Sequence, residues 1–256
     1  MADRSTARVL SVNVAVPRPD PGGAARVSGI DKRPAPHIDV FAPGPDYGDG
    51  SGVVGDVIGD SKHHGGAQKA VYAFAREELD FWWCELGRDG AGAEAAADSG
   101  ADPEAGAGAS AGAGADSGVE PETGAFANGA FGENLTTVGL DLGELLINQR
   151  VRIGTAELEV SVVRQPCRTF AGWLGEKGWV KKFSERGLCG AYFRVAVPGR
   201  ITAGDEIHLL GEPGHGVTMT TAFRAAQGDK DAAARVVAAE CMPEMYHRRM
   251  VALIGG

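Results

Sequence analysis

The spacing of apolar residues predicts a chain built mainly of short strands, followed by a helical C-terminus. Apolar and polar positions alternate, as in half-buried strands, at residues 8–16, 53–58, 145–153, 158–163, 191–197 and 205–210. Gly154 lies between two of these strands as a hairpin turn, and Pro198-Gly199 follows another. Six or more short strands with many glycine and proline turns are typical of a small β-barrel or sandwich.

Helical spacing occurs on both sides of the main strand region. Residues 68–86 carry apolar side chains such as Val71, Phe74 and Leu79 at three- and four-residue intervals, and Gly87 provides a stop. Residues 220–226, 230–239 and 244–253 predict three further helices, separated by Gly228 and Pro243. Helices of this length are marginal alone. We therefore expect them to pack on each other or on the strands as a small C-terminal appendage.

One segment, residues 89–123, has no hydrophobic periodicity. Glycine or alanine occupies 20 of its 35 positions, and it contains eight acidic residues and no Lys or Arg. Such a composition predicts a disordered surface insertion, because it cannot bury enough apolar surface to offset the entropy of ordering. The insertion also accounts for most of the net charge of −9. The remainder is nearly neutral, so charge gives no reason to expect a nucleic-acid or membrane partner.

The sequence favours a cytoplasmic protein whose cysteines are not paired. There is no apolar run of the length that a membrane helix requires, and no signal-peptide pattern in the first ten residues. The four cysteines form no C-x-x-C pair, and a disulfide framework is not expected in this compartment. Cys84, Cys189 and Cys241 have apolar or small neighbours, which predicts that they are buried packing residues.

Two motifs combine cations, histidines and glycines. Residues 31–34, DKRP, place Lys32 and Arg33 in a short turn, and residues 60–66, DSKHHGG, contain two adjacent histidines. Adjacent residues of a strand point to opposite faces, so one histidine would face a site while the other orients the loop. The glycine pair at 65–66 precedes the predicted helix, where unpaired N–H groups suit an anion such as phosphate. A surface turn that caps the helix is the alternative interpretation.

Two further motifs carry an amide and a thiol. Residues 131–137, FGENLTT, include Asn134, whose amide offers one acceptor and two donors to a heterocycle; a loop asparagine satisfied within the protein is the alternative. Residues 164–168, RQPCR, place Cys167 between Pro166 and Arg168, with Arg164 close by. Such an electropositive loop favours a thiolate, and hence a nucleophile or a metal ligand.

The order of these motifs resembles the MOSC domain, which is named after the C-terminal domain of molybdenum cofactor sulfurase. The resemblance rests on DKRP, DSKHHGG with KAVY after it, GAFGENLTTVGL, RQPCR and FRVAVPGRITAGDEI, in that order. It is closest to stand-alone bacterial members that end in three helices. It implies a mainly β fold with helices: a β-barrel domain over residues 1–215, containing the 89–123 insertion, and a three-helix subdomain over residues 216–256.

The resemblance also implies a molybdenum cofactor, molybdopterin, with Cys167 as a ligand of the metal. A soft thiolate is a suitable additional ligand for molybdenum. Arg164 and Arg168 would support the thiolate. The residues on the family's pocket motifs, which would bind the pterin and its phosphate, are Lys32, Arg33, Lys62, His63, Gly65, Gly66 and Asn134. Relatives more often carry Arg where this chain has Lys62, a difference that loses bidentate phosphate recognition.

The activity implied by the resemblance is reduction of N-hydroxylated small molecules: hydroxylamino-purines, amidoximes and hydroxamic acids. Oxygen would pass from the N–OH group to molybdenum, and His63 or His64 would deliver protons. The chain has neither a ferredoxin cysteine signature nor a Rossmann fingerprint. A separate reductase, flavin protein or iron–sulfur protein is therefore the expected electron donor.

Two other functions stay open at this stage. The protein could store, carry or sulfurate the cofactor without turning over an organic substrate. Relatives with that role are fused to a pyridoxal-phosphate module, which this chain lacks, so pyridoxal phosphate is not supported. Alternatively, Cys167 and a histidine could form the nucleophilic pair of a cofactor-free hydrolase, although no oxyanion-hole motif is visible. Metal content separates the hydrolase from the other two functions, and substrate turnover separates the reductase from the carrier.

Overall fold

The computed structural model describes residues 6–88 and 124–256, so the insertion predicted at 89–123 lies outside the described residues. The strands are β1 (Arg8–Ala15), β2 (Arg18–Pro19), β3 (Val27–Ser28), β4 (Lys32–Ala35), β5 (His37–Val40), β6 (Val71–Ala75), β7 (Leu135–Val138), β8 (Arg150–Ile153), β9 (Ala156–Val160), β10 (Ala191–Val197), β11 (Gly199–Thr202) and β12 (Ile207–Leu210). The α-helices are α1 (Arg76–Glu85), α2 (Arg168–Leu174), α3 (Trp179–Arg186), α4 (Met219–Ala226), α5 (Lys230–Ala239) and α6 (Glu244–Gly255).

Eight strands form one curled sheet, in the order β12-β8-β9-β10-β6-β7-β1-β4. All neighbours in it are antiparallel except β6 and β7, which run parallel. A bridge between Arg8 and Glu206, with a 2.9 Å hydrogen bond from the Val9 N–H to the Asp205 carbonyl, joins β1 to the residues before β12. The sheet therefore curls back on itself as a half-barrel, and the predicted mainly β fold with flanking helices is confirmed.

Several predicted strands occur, but one does not. Residues 8–16, 191–197 and 205–210 correspond to β1, β10 and β12, and β8 and β9 form the predicted hairpin around Gly154, with Ile153 opposite Ala156. The strand predicted at 53–58 is wrong, since this segment forms only a single bridge between Val53 and Val40. The rest of it is a loop that turns the carboxylate of Asp56 inward, where the Ala15 N–H binds it.

Only the C-terminal half of the helix predicted over residues 68–86 is present; the N-terminal half of this prediction is wrong. A short 3-10 helix (Ala67–Lys69) is followed by β6, and only then does α1 begin. Every residue of β6 is buried, because the strand lies between β10 and β7 in the middle of the sheet. Such a strand shows a continuous apolar run instead of alternation, and a short apolar run does not distinguish strand from helix.

The helices α2 and α3 are absent from the sequence predictions, and their aromatic side chains build the core beside the sheet. Phe170 of α2 lies edge-to-face against Phe131 and Trp179, with ring centroids 5.2 Å apart in both pairs. Phe183 of α3 extends the same cluster. Because Phe131 is the first residue of the FGEN motif and Phe170 lies two residues after RQPCR, this packing holds the two motifs side by side.

The three C-terminal helices form at the predicted positions. Thr218 caps α4 by accepting a hydrogen bond from the Thr221 N–H, and Asp229 caps α5 in the same way from the Ala232 N–H. No helix in the described residues combines the length and the apolar character needed to cross a membrane.

The cysteine predictions are correct for two of the three packing residues. Cys189 and Cys241 are buried, whereas Cys84 is exposed, because it lies on the outer side of α1 while Trp82 and Trp83 face the core. Cys167 is partly exposed.

Candidate functional site

A cleft of about 100 Å³ lies where loops from all four motifs meet. Its walls come from residues 28–30, 56–60 and 64–65. Other residues that line it are Lys32, Lys69, Tyr72, Asn134, Arg164, Cys167, Thr169 and Tyr192. Six of the residues selected from the sequence line the cleft: Lys32, His64, Gly65, Asn134, Arg164 and Cys167. The fold therefore brings at least one residue of each motif to the same place.

Five of the selected residues do not line the cleft: Arg33, Lys62, His63, Gly66 and Arg168. Arg33 is half exposed and pairs with Asp31 at 3.1 Å. The ring of His63 is exposed, and its Nδ1 lies 3.0 Å from the Asp60 carboxylate. Lys62 and Arg168 are exposed. Of the two adjacent histidines, His64 faces the cleft and His63 binds the loop carboxylate.

The glycine pair does not precede an α-helix, which corrects the expectation of an anion site at a helix N-terminus. The Gly66 N–H donates to the Gly50 carbonyl at 2.9 Å, so it is not available to a ligand. Both glycines have positive φ, 78° and 71°, and a Cβ at Gly66 would collide with the Asp46 carbonyl oxygen. The pair is needed for close packing of the 44–50 loop. In the described structure only the Gly65 N–H of this pair lacks an acceptor.

Asp56, which the sequence analysis missed, is the polar centre of one cleft wall. Its carboxylate accepts hydrogen bonds from Lys32 Nζ at 2.6 and 2.7 Å, Ser51 Oγ at 3.0 Å, Asn134 Nδ2 at 2.9 Å and the Ala15 N–H at 2.9 Å. Burial opposes its ionisation, but Lys32 and these hydrogen bonds hold the pKa of Asp56 below its ordinary value.

Asn134 is satisfied within the protein. Besides its bond to Asp56, the amide donates to the Asn13 carbonyl at 3.2 Å, and its oxygen accepts from the Tyr72 N–H at 3.2 Å. Lys32 is likewise engaged by Asp56. Both residues therefore shape the wall, and the Asn134 amide has no hydrogen left for a heterocycle.

A second buried carboxylate, Glu133, fixes the loop that leads into β7. It accepts hydrogen bonds from the Gly129 N–H at 2.6 Å, the Phe131 N–H at 2.9 Å and the Thr136 hydroxyl at 2.9 Å. Burial raises the pKa of Glu133. The loop in turn offers the Phe131 carbonyl to Arg164 Nη1 at 2.9 Å.

Arg164 is a buried cation whose charge is not neutralised. Its guanidinium lies 3.9 Å from the centre of the Phe170 ring and 4.8 Å from that of Tyr72. In the part of the chain that the structure describes, no carboxylate lies within ion-pair distance of it, and Glu133 acts on its charge only from beyond that distance. A buried charge without a counterion is costly, so this position suits an anionic ligand.

Lys69 adds a second unneutralised cation. Its Nζ donates to the His63 carbonyl at 2.7 Å and lies 4.9 Å from the Tyr47 ring centre and 5.6 Å from that of Tyr192. Burial, together with repulsion from Arg164 and Arg249, lowers the pKa of Lys69 to about 8.

His64 is a neutral imidazole in this environment. Burial and the nearby charges of Lys69 and Arg164 lower its pKa to about 3. None of the described residues hydrogen-bonds to its ring. Its two nitrogens are therefore open to a ligand in the cleft, one as donor and one as acceptor.

A network of ion pairs and hydrogen bonds, which the sequence did not predict, closes the side of the cleft near Cys167. Arg26 bridges Asp20 at 2.7 Å and Asp60 at 2.8 Å, and the Thr169 hydroxyl donates to Asp20 at 3.1 Å. These bonds join the β2–β3 hairpin to the start of α2 and to the loop that carries His64. Burial opposes ionisation of Asp60, but hydrogen bonds from His63, the Lys62 N–H and Arg26 lower its pKa to about 2.

The thiol of Cys167 lines the cleft immediately before α2. The described residues contain no group of three or more His, Cys, Asp or Glu side chains able to hold a metal ion. A metal at Cys167 would therefore have to bring most of its ligands with it.

Comparisons with known proteins agree with the motif order. The family model described as the MOSC domain matches residues 60–208, more than half of the chain. A curated relative, the uncharacterized protein YflK of Bacillus subtilis (strain 168), is 30% identical over 217 residues, which are 84% of this chain and 79% of that protein.

Solved structures show the same fold at lower identity. YiiM from Geobacillus stearothermophilus superposes with a TM-score of 0.66 at 21% identity, covering 97% of this chain and 99% of that one. YiiM from Escherichia coli gives a TM-score of 0.61 at 19% identity, covering 96% and 92%.

Replacing Asp56 tests the polar wall. Asp56→Asn leaves the Lys32 ammonium buried without a counter-charge, and we expect urea unfolding at neutral pH to show a loss of about 3–5 kcal/mol. Because the folded-state pKa is lowered, the contribution of Asp56 is complete above the ordinary Asp pKa of 3.8 and is lost as the pH falls through the folded-state pKa. Acid-induced loss of stability should therefore be shallower in the variant.

The matched control is Asp39→Asn, which breaks an exposed pair with Arg200. It should cost much less, because exposed ion pairs contribute little. Equal losses in the two variants would contradict the assignment of Asp56 as the centre of the wall.

The neutrality of His64 can be measured by NMR titration of the histidine rings. We expect the His64 ring to stay neutral until the pH approaches about 3. Lys69→Met removes a cation that disfavours protonation and should raise the pKa of His64, whereas Lys62→Met, outside the cleft, should not. A wild-type His64 that titrates near its ordinary pKa of 6.5 would show that the ring is not in this environment.

Proposed function

The chain belongs to the MOSC domain family, and on that premise we propose that its cleft binds the molybdenum cofactor and that the protein reduces N-hydroxylated small molecules. MOSC domains are associated with binding of this cofactor. The substrate class proposed for this chain comprises hydroxylamino-purines, amidoximes and hydroxamic acids. Electrons would come from a separate reductase, flavin protein or iron–sulfur protein.

The observation that carries the proposal is the pairing of an unneutralised buried cation with a thiol in one cleft. Arg164 has no carboxylate partner among the described residues, and Cys167 lines the same cleft three residues later. The cofactor combines negative charge with a metal that favours sulfur ligands, so these donors fit it. Arg164 and the Gly65 N–H would bind its anionic groups, and Cys167 would be the protein ligand of the metal.

The acidic residues of the cleft do not oppose this assignment. Asp56 is paired with Lys32, whereas Asp20 and Asp60 share the single positive charge of Arg26, which leaves one negative charge. Arg164 and Lys69 add two positive charges, so the Lys, Arg and Asp side chains that line the cleft keep a net charge of +1. This balance favours an anionic cofactor over a free divalent cation, for which no three-residue ligand group exists in the described residues.

The cofactor, when bound, would supply the two-electron chemistry that removes oxygen from the N–OH group; two electrons from the separate donor and two protons from solvent would balance the reduction, and the oxygen would leave as water. The protein would supply orientation and hydrogen bonding. His64 is neutral at physiological pH, so it would act through its ring N–H as a hydrogen-bond donor to the substrate and not as a charged acid. His63 would act indirectly, because its ring is exposed, does not line the cleft and binds Asp60, which does.

Metal analysis tests the cofactor site. We expect protein purified from a host that makes the cofactor to contain stoichiometric molybdenum and pterin, and Cys167→Ser to lose most of the molybdenum, because an alcohol is a poor replacement for a soft thiolate. Cys84→Ser is the matched control, since that thiol is exposed on α1, and it should retain the metal. Equal molybdenum in all three proteins, or none in any after cofactor reconstitution, would overturn the proposal.

Turnover with a chemical reductant separates an enzyme from a carrier. We expect the loaded wild type to reduce an amidoxime, and His64→Gln to lower kcat by about 10²–10³ if its ring N–H stabilises the reacting group. His63→Gln should retain most of the activity, because that ring lies outside the cleft. A loaded wild type without turnover would instead favour cofactor storage or sulfur transfer, and equal effects of the two histidine variants would refute the separate roles.

A further inference from the structure

The C-terminal helix α6 reaches the edge of the cleft, although it lies outside the segment that matches the family model. Tyr246 of α6 is buried, and its hydroxyl is hydrogen-bonded to that of Tyr47 in the 44–50 loop. The Tyr47 ring in turn lies over the ammonium of Lys69, 4.9 Å away. The helix is thus connected to a cleft-lining cation through two tyrosines.

Arg249 of α6 is a second cation beside this tyrosine pair. It follows Tyr246 by three residues, so both lie on one face of α6, and its guanidinium carbon lies 5.7 Å from the Tyr246 ring centre. Its one hydrogen-bond contact with the described residues is to the Met245 sulfur at 3.9 Å, and no carboxylate pairs with it there. The preceding residue, Arg248, differs, since it pairs with Glu244 at 2.6 Å.

Lys69 also has donor capacity that the fold does not use. One ammonium hydrogen goes to the His63 carbonyl, and no second acceptor is found among the described residues. Lys69 contacts the Tyr47 ring and the exposed Arg249 contacts the Tyr246 ring, and because the two tyrosine hydroxyls are hydrogen-bonded, both cations lie against one tyrosine pair. Burial, Arg164 and Arg249 together lower the pKa of Lys69. Two like charges that repel each other, both without carboxylate partners, would be stabilised by an anion placed between them.

We propose that Lys69 and Arg249 form an anion subsite on the α6 side of the cleft, which binds the phosphate group of an organic ligand. A phosphate monoester carries enough charge and enough acceptor oxygens to engage an ammonium and a guanidinium together. This inference rests on the proposed function and narrows its substrate class to an N-hydroxylated nucleotide. The phosphate of the nucleotide would bind Lys69 and Arg249 while its N–OH group contacts His64. The phosphate of the cofactor is the other possible source.

Phosphate binding tests the subsite without metal or turnover. The probe is inorganic phosphate, titrated by calorimetry into the full chain purified from a host that does not make the cofactor. We expect Arg249→Gln to weaken the phosphate affinity about tenfold, because it removes one charge-assisted hydrogen bond, and Lys69→Met to weaken it at least as much. Arg248→Gln is the matched control and should leave the affinity unchanged. No measurable phosphate binding, equal affinity in all variants, or an equal loss in the Arg248 control would overturn the subsite.

Kinetics and cofactor content identify the source of the phosphate. For a substrate phosphate, the loaded Arg249→Gln protein should show a KM about tenfold higher for a hydroxylamino-purine nucleoside monophosphate, with an unchanged KM for the nucleoside and unchanged kcat. For the cofactor phosphate, the same variant should lose bound pterin, which would support the subsite but overturn the nucleotide assignment. If phosphate binding depends on Arg249 but the wild type contains no molybdenum, the subsite stands and the proposed function fails.

Discussion

The site depends on one buried negative charge, the carboxylate of Asp56. A charge of this kind is tolerated inside a protein only when it is paired and hydrogen-bonded, and its partners here come from four separate parts of the chain. Lys32 begins β4, Ala15 ends β1, Ser51 belongs to the same loop as Asp56, and Asn134 precedes β7. Satisfying Asp56 therefore requires these segments to meet, and their meeting forms one wall of the cleft.

The net charge of the cleft depends on which of its cations are paired with aspartates. Lys32 and Arg26 are engaged by aspartates and hold loops together. Arg164 and Lys69 are held instead by carbonyl oxygens and aromatic faces, which restrain a cation without cancelling its charge. Burial, together with the same local positive potential, keeps His64 neutral, so the cations determine what the cleft attracts and contribute to the form in which its histidine acts.

Motif order predicted the fold and the convergence of the motifs well, but not which atoms face the cleft. Turn chemistry and capping residues are local, which is why the β8–β9 hairpin and the three C-terminal helices were predictable. Three-dimensional neighbours decide the rest. β6 was mistaken for helix because burial on both faces removes the alternation of a strand. Asp56 belongs to no recognisable motif. Only the fold shows that the hydrogen-bonding groups of Asn134 are all used within the protein, and that Gly66 is needed for the packing of a loop.

The parallel pairing of β6 with β7 has a consequence for how the family can vary. Parallel neighbours cannot be joined by a tight turn and need a crossover of a dozen or more residues, which here contains α1 and the acidic segment. The entropic cost of closing a connection grows only with the logarithm of its length, about 0.6 kcal/mol for each doubling. Lineages can therefore lengthen or shorten this crossover at little thermodynamic cost, while the register of Ala73 with Leu135 preserves the neighbouring cleft.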